Sequence, residues 1–211
     1  MVRRPKPSGR RRLPDKGKPA TRRVVNVRPL RPRFLIVCEG SKTEPNYFRR
    51  FRVNAQVVEL KVLGLGDNTL SLMEQTCERM RQDEYEQVWC VFDRNSFPAQ
   101  QFNAALELAR RRGIHVAYSN EAFELWYLVH FHYYDIATPR SDYMRMLSER
   151  LGFRYQKNNR KMYDLLQDRQ PEAIRNAQRL LDFYGPEHNP ERDNPCTTVH
   201  LLVQELNRYI R

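Results

Sequence analysis

The sequence predicts an α/β fold in which a parallel β-sheet is flanked by helices. After residue 33, four short apolar runs alternate with segments whose apolar residues recur at helical spacing. The runs lack the regular polar alternation of a half-exposed strand, which indicates strands that are buried on both faces. Parallel strands need long crossover connections, so the expected order is βαβαβαβ, followed by a helical C-terminal part.

The element boundaries follow from these runs and from the residues around them. Pro45, Asn68 and Pro98 are placed to begin the three crossover helices, and Gly113 is placed to end the third. The strands are predicted at residues 34–38, 57–63, 87–92 and 114–118.

Beyond the fourth strand the pattern is helical. Ser119 or Asn120 can cap a buried helix, and Gly185 can stop a later one. Asn194 and Pro195 have the N-cap and first-turn character of a helix start. The helices are predicted at residues 121–131, 141–151, 158–168, 171–184 and 195–209.

Positive charge is concentrated at the N-terminus. Residues 1–33 contain 13 Lys and Arg and one acid, so they contribute 13 − 1 = +12, which equals the formal charge of the whole chain. Residues 1–32 have too few large apolar residues to order themselves, which predicts a disordered basic tail. The tail is expected to bind nucleic-acid phosphates through counterion release; a solvated tail that aids solubility is the alternative. The tail residues expected to contact phosphates are Arg10, Arg11 and Arg12.

The rest of the chain, residues 33–211, is expected to form one domain with an α/β core at 33–139 and a helical extension at 140–211. No apolar run approaches the ~20 residues of a membrane span, and no apolar segment follows the basic N-terminus as in a secretory signal. The four cysteines are far apart, so neither a zinc site nor a disulfide framework is expected. These features predict a cytoplasmic protein with no membrane partner.

The segment "FLIVCEGSKTEPNYF" raises the possibility of a phosphate-binding loop. A Walker A loop requires Gly, four residues, then Gly-Lys-Ser or Gly-Lys-Thr without interruption. Here Ser41 separates Gly40 from Lys42, and Leu35 and Ile36 stand where the first glycine would be. The sequence therefore argues against a P-loop.

Carboxylates at strand ends provide the other interpretation. Glu39 follows the first predicted strand, and Asp93 follows the third. Ligands bind at the carboxyl ends of strands in an open parallel sheet, so neighbouring strands would bring both acids to one place. Like charges at close range favour a divalent cation such as Mg²⁺, with Glu44 as a further ligand. The alternative is that these are ordinary loop acids.

Two more groups of residues are candidates for the same site. Glu124 is expected in the first turn of the helix after the fourth strand, where it either faces the metal site or only complements the helix dipole. Lys157, Arg160 and Lys161 form a basic cluster. The cluster is either a phosphate clamp over the site or a solvated helix face.

Four motifs in order resemble the RloB-like family: "IVCEGSKTEPNYF", "VWCVFDRNSF", "SNEAFELWYLVHF" and "NPCTTVHLLVQEL". The resemblance covers residues 33–209 and implies a Toprim-like domain in a bacterial protein of restriction-linked or abortive-infection defence. Such domains use a Glu after the first strand and an Asp-x-Asp pair after the third to bind Mg²⁺. The resemblance maps the Glu onto Glu39 and the first Asp onto Asp93. Asn95 replaces the second Asp, and its amide oxygen can still ligate a metal without contributing charge.

The first functional hypothesis is a nuclease that uses Mg²⁺ or Mn²⁺ to hydrolyse RNA or DNA in anti-phage defence. Its metal ligands would be Glu39, Asp93, Glu44 and Asn95, and its catalytic residues Glu39, Asp93, Glu124 and Lys157. The resemblance also implies a separate ATPase partner. The second hypothesis is a non-catalytic module that binds nucleic acid or a partner protein on a degenerate site.

Overall fold

The sheet contains the four predicted parallel strands and one short addition. The computed structural model describes residues 31–66, 69–94 and 98–210, with the backbone alone at 69 and 70. In these ranges the sheet order is β2-β1-β3-β4-β5, with β5 antiparallel to β4 and all other pairs parallel. The strands are Arg33–Cys38 (β1), Glu59–Gly64 (β2), Gln87–Asp93 (β3), His115–Asn120 (β4) and Cys196–Thr197 (β5).

The predicted alternation of strands and helices is confirmed. Pro98 occupies the N-cap position of the third crossover helix, and Gly113 ends that helix in the left-handed conformation at φ 67°. The described helices are Thr43–Phe48 (α1), Thr69–Gln82 (α2), Ala99–Arg112 (α3), Glu124–Leu128 (α4), Arg140–Leu151 (α5), Met162–Leu166 (α6), Gln170–Tyr184 (α7) and Val199–Asn207 (α8), with 3₁₀ turns at Gln167–Arg169 and Gly185–Glu187.

The prediction for the start of α4 is wrong. Ser119 and Asn120 do not cap a helix because they end β4. The Ser119 hydroxyl pairs with that of Thr197 at 2.9 Å, and the Asn120 amide donates to the Asp193 carbonyl at 2.9 Å. Ser119 thus bonds to β5, which covers the edge of β4, and Asn120 bonds to the segment before β5, so α4 begins later, at Glu124.

The predicted last helix is wrong at its start for the same reason. Cys196 and Thr197 pair with β4 and satisfy backbone groups that would otherwise be unpaired at a sheet edge. Thr198 then precedes α8, so Asn194 and Pro195 lie before the short strand and do not cap the helix.

The sheet separates two apolar layers. Phe34, Ile36 and Cys38 face the layer that contains α1 and α4–α8, whereas Leu35 and Val37 face α2 and α3. This alternation follows from the two-residue period of a strand. Helices on both faces explain why β1 is apolar at every position from Phe34 onward.

Some predictions fall on residues outside the described ranges. These are the disorder of the tail up to residue 30, with Arg10, Arg11 and Arg12, the Asn68 cap, and Asn95. No helix in the described part of the chain has both the length and the apolar character needed to cross a membrane.

Candidate active site

The ends of β1 and β3 lie side by side, as the strand-end argument requires. Cys38 is in register with Val91, and the Glu39 amide donates to the Val91 carbonyl at 2.8 Å. The Glu39 carboxylate in turn accepts a hydrogen bond from the Asp93 backbone amide at 3.1 Å. The sheet register therefore fixes the two acidic residues as neighbours.

Glu44 reaches the same place from α1. Its carboxylate lies directly over Gly40, so that a Cβ at position 40 would stand 2.2 Å from Glu44 Oε2. Such a contact is far inside van der Waals distance, so a side chain at position 40 would displace the Glu44 carboxylate. Glu44 is 5% exposed, because α1 begins immediately after the turn and directs this side chain inward.

Glu124, the first residue of α4, is the fourth acidic residue of the group. It is 3% exposed, yet Lys157 lies 3.6 Å from its Oε1, and the Tyr155 hydroxyl donates to the same oxygen at 3.2 Å. A buried carboxylate requires such partners, because desolvation otherwise penalises its charge. Glu124 thus lines the same cavity as Glu39 and Asp93, and its predicted role at a metal site stays a prediction.

Arg140 adds a second cation at the start of α5. Its backbone amide donates to Glu121 Oε2 at 2.7 Å, which fixes the beginning of the helix. The Arg140 charge acts to lower the pKa of Asp93, although burial and the neighbouring carboxylates outweigh it. Arg140 is therefore a cation of the site that sequence analysis did not identify.

These side chains surround one cavity of about 310 Å³. It contains four carboxylates and three cationic side chains. Its lining consists of Glu39, Gly40, Ser41, Lys42, Thr43, Glu44, Asp93, Phe123, Glu124, Arg140 and Lys157.

The carboxylates repel one another. The pKa of Glu44 is raised to about 7, chiefly by burial and also by the charges of Glu124 and Glu39, although a backbone hydrogen bond and the charge of Lys157 act to lower it. Burial also raises the pKa of Asp93 well above its usual range, with added repulsion from Glu44, Glu39 and Glu124. The site therefore crowds together carboxyl groups whose full ionisation its cations do not stabilise.

The donor atoms fit a hard divalent cation. Carboxylate oxygens are the ligands that Mg²⁺ and Mn²⁺ prefer, and a divalent cation would relieve the repulsion between crowded carboxylates. Among the residues that the structure describes, however, no three His, Cys, Asp or Glu side chains are already gathered into a ligand set. The fit thus depends on the chemistry of Glu39, Glu44 and Asp93. Asn95, the remaining predicted ligand, is outside the described ranges.

The predicted basic cluster divides into two parts. Lys157 lines the cavity, as a phosphate clamp would require. Arg160 and Lys161 are exposed and are not among the cavity residues, so their predicted contact with nucleic acid stays a prediction.

Sequence analysis missed Arg140 and assigned no site role to Tyr155. Arg140 could have been noticed because it places a positive charge in the first turn of a helix, where the helix dipole disfavours it. Tyr155 gave no such signal, since 31 residues separate it from Glu124 and an aromatic residue near Lys157 is equally typical of a core.

The fold and the cavity define a class: an α/β protein with an acidic site at the carboxyl ends of its parallel strands. A family model described as RloB-like protein matches residues 34–206, which is most of the chain. The chain therefore belongs to the RloB-like protein family, as its four motifs predicted. Comparisons with curated proteins and with solved structures gave no match.

Proposed function

We propose that this protein is a nuclease that hydrolyses phosphodiester bonds of RNA or DNA with the help of Mg²⁺ or Mn²⁺. The observation that carries the proposal is the cavity itself, where four carboxylates that follow β1, β3 and β4 meet cations on α5 and in the 152–161 segment. Negative charge that attracts a divalent cation, beside positive charge that attracts a phosphate, is the combination that metal-dependent phosphodiester hydrolysis needs.

Each residue has a role in this proposal. Glu39, Asp93 and Glu44 would hold the cation, and Asn95 would complete the ligand set. When bound, Mg²⁺ would supply polarisation of a phosphate oxygen and a water of lowered pKa. Lys157 and Arg140 orient the phosphate, while Glu124 positions Lys157 through their ion pair. Tyr155 holds Glu124 in place through its hydroxyl.

The biological setting of the proposal comes from the family. A Glu after β1 and an Asp at the end of β3 support a Toprim-like sheet. We further propose that the enzyme acts in the bacterial cytoplasm as an effector of anti-phage defence, under the control of a separate ATPase partner.

A non-catalytic binding module is the second candidate. It is favoured by one observation, which is that the described acidic residues do not form a ready three-ligand metal site. In that case the basic tail and the cavity would bind nucleic acid or a partner without turnover.

The test is cleavage by the full chain of single-stranded RNA, single-stranded DNA and duplex DNA in EDTA and then across a Mg²⁺ or Mn²⁺ titration. Cleavage is expected only with the divalent cation and should be lost in Glu39→Gln. Gln retains an oxygen that can accept the hydrogen bond from the Asp93 amide, so this variant removes charge and preserves the contact.

The matched control is Glu59→Gln, which makes the same change at the exposed start of β2. It should cleave like the wild-type protein. Equal activity in both variants would overturn the site assignment. Binding of nucleic acid that Mg²⁺ and Mn²⁺ never convert into cleavage would select the binding module.

A further inference from the structure

A second cationic surface lies away from the cavity, around the segment that follows α4. Phe131, His132, Tyr133 and Tyr134 are consecutive and all partly exposed. Phe131, Tyr133 and Tyr134 pack against the core on one side and keep part of their surface exposed, so the neighbours of that exposed part indicate what it can bind.

Arginines from two helices cover these rings. Arg179 of α7 lies over the Tyr133 ring with its guanidinium carbon 3.9 Å from the centroid, and Arg169 lies 5.3 Å over Phe131. The His132 and Tyr134 rings lie 3.9 Å apart at 34°. We call residues 131–134 together with Arg150, Arg169 and Arg179 the arginine–aromatic strip.

Arg150 extends the strip onto α5. It stands in the last turn of that helix, and its charge partly offsets the rise that burial causes in the pKa of Tyr134. Arg140, at the other end of α5, lines the cavity. Ten residues of helix separate the two arginines, or about 15 Å. The strip therefore begins within reach of a nucleotide chain of modest length that leaves the cavity.

The three strip arginines differ from other exposed arginines of the same helices. Arg145 pairs with Glu149 and Arg175 pairs with Glu172, each about one helical turn away. Arg150, Arg169 and Arg179 have no carboxylate of the described chain within 4.0 Å. Their charges are therefore not neutralised by a neighbouring acid.

The acids near the strip do not change this conclusion. Asp135, Asp168 and Asp182 are its neighbours in sequence, but none of them forms an ion pair with a strip arginine. Asp182 instead accepts a hydrogen bond from Gln178 at 2.9 Å.

We propose that the arginine–aromatic strip binds unpaired nucleotides of a single-stranded or looped nucleic acid. This inference rests on the proposed function, because it gives the substrate that enters the cavity a second contact. A guanidinium that lies over a ring can present its other face to a base, which can stack on it. The same three cations attract the phosphates between the bases.

The combination of planar groups and unpaired charge favours nucleic acid over an acidic protein. An acidic peptide needs cations but gains nothing from stacked planes, whereas every base has a π-face. Duplexes hide these faces, so the strip should prefer unpaired segments.

The test compares two triple variants in the full chain, both carrying Glu39→Gln to prevent cleavage. The strip variant is R150Q/R169Q/R179Q. The matched control is R145Q/R175Q/R208Q, which removes the same charge from arginines that are paired with acids. The probes are fluorescein-labelled single strands of RNA and DNA of about 20 nucleotides and a duplex of equal length, measured by anisotropy in EDTA.

The strip variant should bind single strands about tenfold more weakly than Glu39→Gln alone, and the control within about twofold. Equal losses in the two variants would overturn the proposal, as would equal losses for single strands and for the duplex. Competition by polyglutamate as effective as competition by an unlabelled strand would mean an acidic-protein surface and would also overturn it.

Arg179→Lys separates stacking from charge. Lysine keeps the charge but lacks the planar face, so affinity for single strands should fall while the dependence of log affinity on log salt stays the same. Unchanged affinity in this variant would show that no base stacks on Arg179 and would overturn the proposed mode of binding.

Cleavage by the same triple variants without Glu39→Gln separates this inference from the proposed function. If the protein never cleaves but its binding depends on the strip, the nuclease proposal is overturned and the strip proposal is supported. If cleavage is efficient and divalent-dependent but the strip and control variants behave alike, the nuclease proposal is supported and the strip proposal is overturned.

Discussion

Both ends of the sheet carry acidic and basic side chains, but the acids are paired with cations at one end and crowded together at the other. At the amino end, Arg33 lies 3.1 Å from Asp83 and 3.3 Å from Glu59, and Lys61 lies 3.6 Å from Asp83. At the carboxyl end, Glu39, Glu44, Asp93 and Glu124 surround a cavity in which Lys157 is the cation within ion-pair distance of a described acid. Charges are balanced at one end and concentrated at the other.

The direction of the pKa shifts expresses this difference. Hydrogen bonds from Arg33 and Tyr85 hold the pKa of Asp83 below its usual value. Burial and like charges raise the pKa values of Glu44 and Asp93. An acid that is stabilised as a carboxylate contributes to folding, whereas one that is destabilised needs a reason to be retained, and binding of a cation supplies one.

The largest expected effect is on activity at the carboxyl end. Asp93→Asn should reduce divalent-dependent cleavage by about a hundredfold or more, because it removes a charged ligand of the proposed metal. Stability in EDTA should not fall, since the change also relieves repulsion with Glu39 and Glu44. The measurements are a cleavage rate at fixed Mg²⁺ and a thermal melt.

Asp83→Asn is the control, because it makes the same substitution at the amino end. It should leave the cleavage rate unchanged. If the two variants lost activity equally, the contrast between the two ends would have no functional meaning.

The second effect is a pH-dependent change in stability at Glu44. Its pKa is about 7 in the folded protein against 4.5 as the ordinary value, so the folded state retains a proton that the unfolded chain releases. The contribution of Glu44 to the free energy of unfolding is therefore fully present below pH 4.5 and is lost as pH rises to about 7. This shift corresponds to a loss of about 3 kcal/mol as an upper figure.

Glu44→Gln should remove that loss. In EDTA, the variant should be more stable than the wild-type protein at pH 8 and equal to it near pH 4.5, as measured by urea denaturation at both values. Added Mg²⁺ should stabilise the wild-type protein at pH 8 more than the variant, because a bound cation offsets the repulsion. A variant that is less stable at pH 8 in EDTA would show that Glu44 is favourably paired.

The site was partly predictable because strand ends obey a general rule. Glu39 and Asp93 follow apolar runs, and parallel strands bring such positions to one edge, so their proximity follows from the sequence pattern alone. Lys157 lines the same cavity as these acids, and its predicted role as a phosphate clamp stays a prediction. Arg140 was not expected, because its position depends on how α5 packs, and no local pattern encodes that packing.

The fifth strand was unpredictable for a different reason. Two residues, Cys196 and Thr197, are too few to show a strand period, and the following apolar positions of α8 fit a helix. Its pairing depends on the free edge of β4, which is formed by residues about 80 positions earlier. Long-range pairing of this kind has no local signature in the sequence.

The smallest effect is expected at the amino end. Asp83→Asn breaks contacts with Arg33 and Lys61, but these side chains remain 29–40% exposed, so water and salt screen the contacts. The melting temperature should fall by no more than about two degrees, and the difference from wild type should shrink as salt is raised.

The pH dependence of this stability difference should have the opposite sign to that of Glu44→Gln. Folding lowers the pKa of Asp83, so the stability that Asp83 contributes is present at neutral pH and disappears as pH falls below its ordinary value of 3.8. The check is a set of melts at low and high salt, at neutral pH and at pH 3. A large, salt-independent loss would mean that the amino-end network is as strongly coupled as the carboxyl-end cluster, and charge balance alone would then not distinguish the two ends.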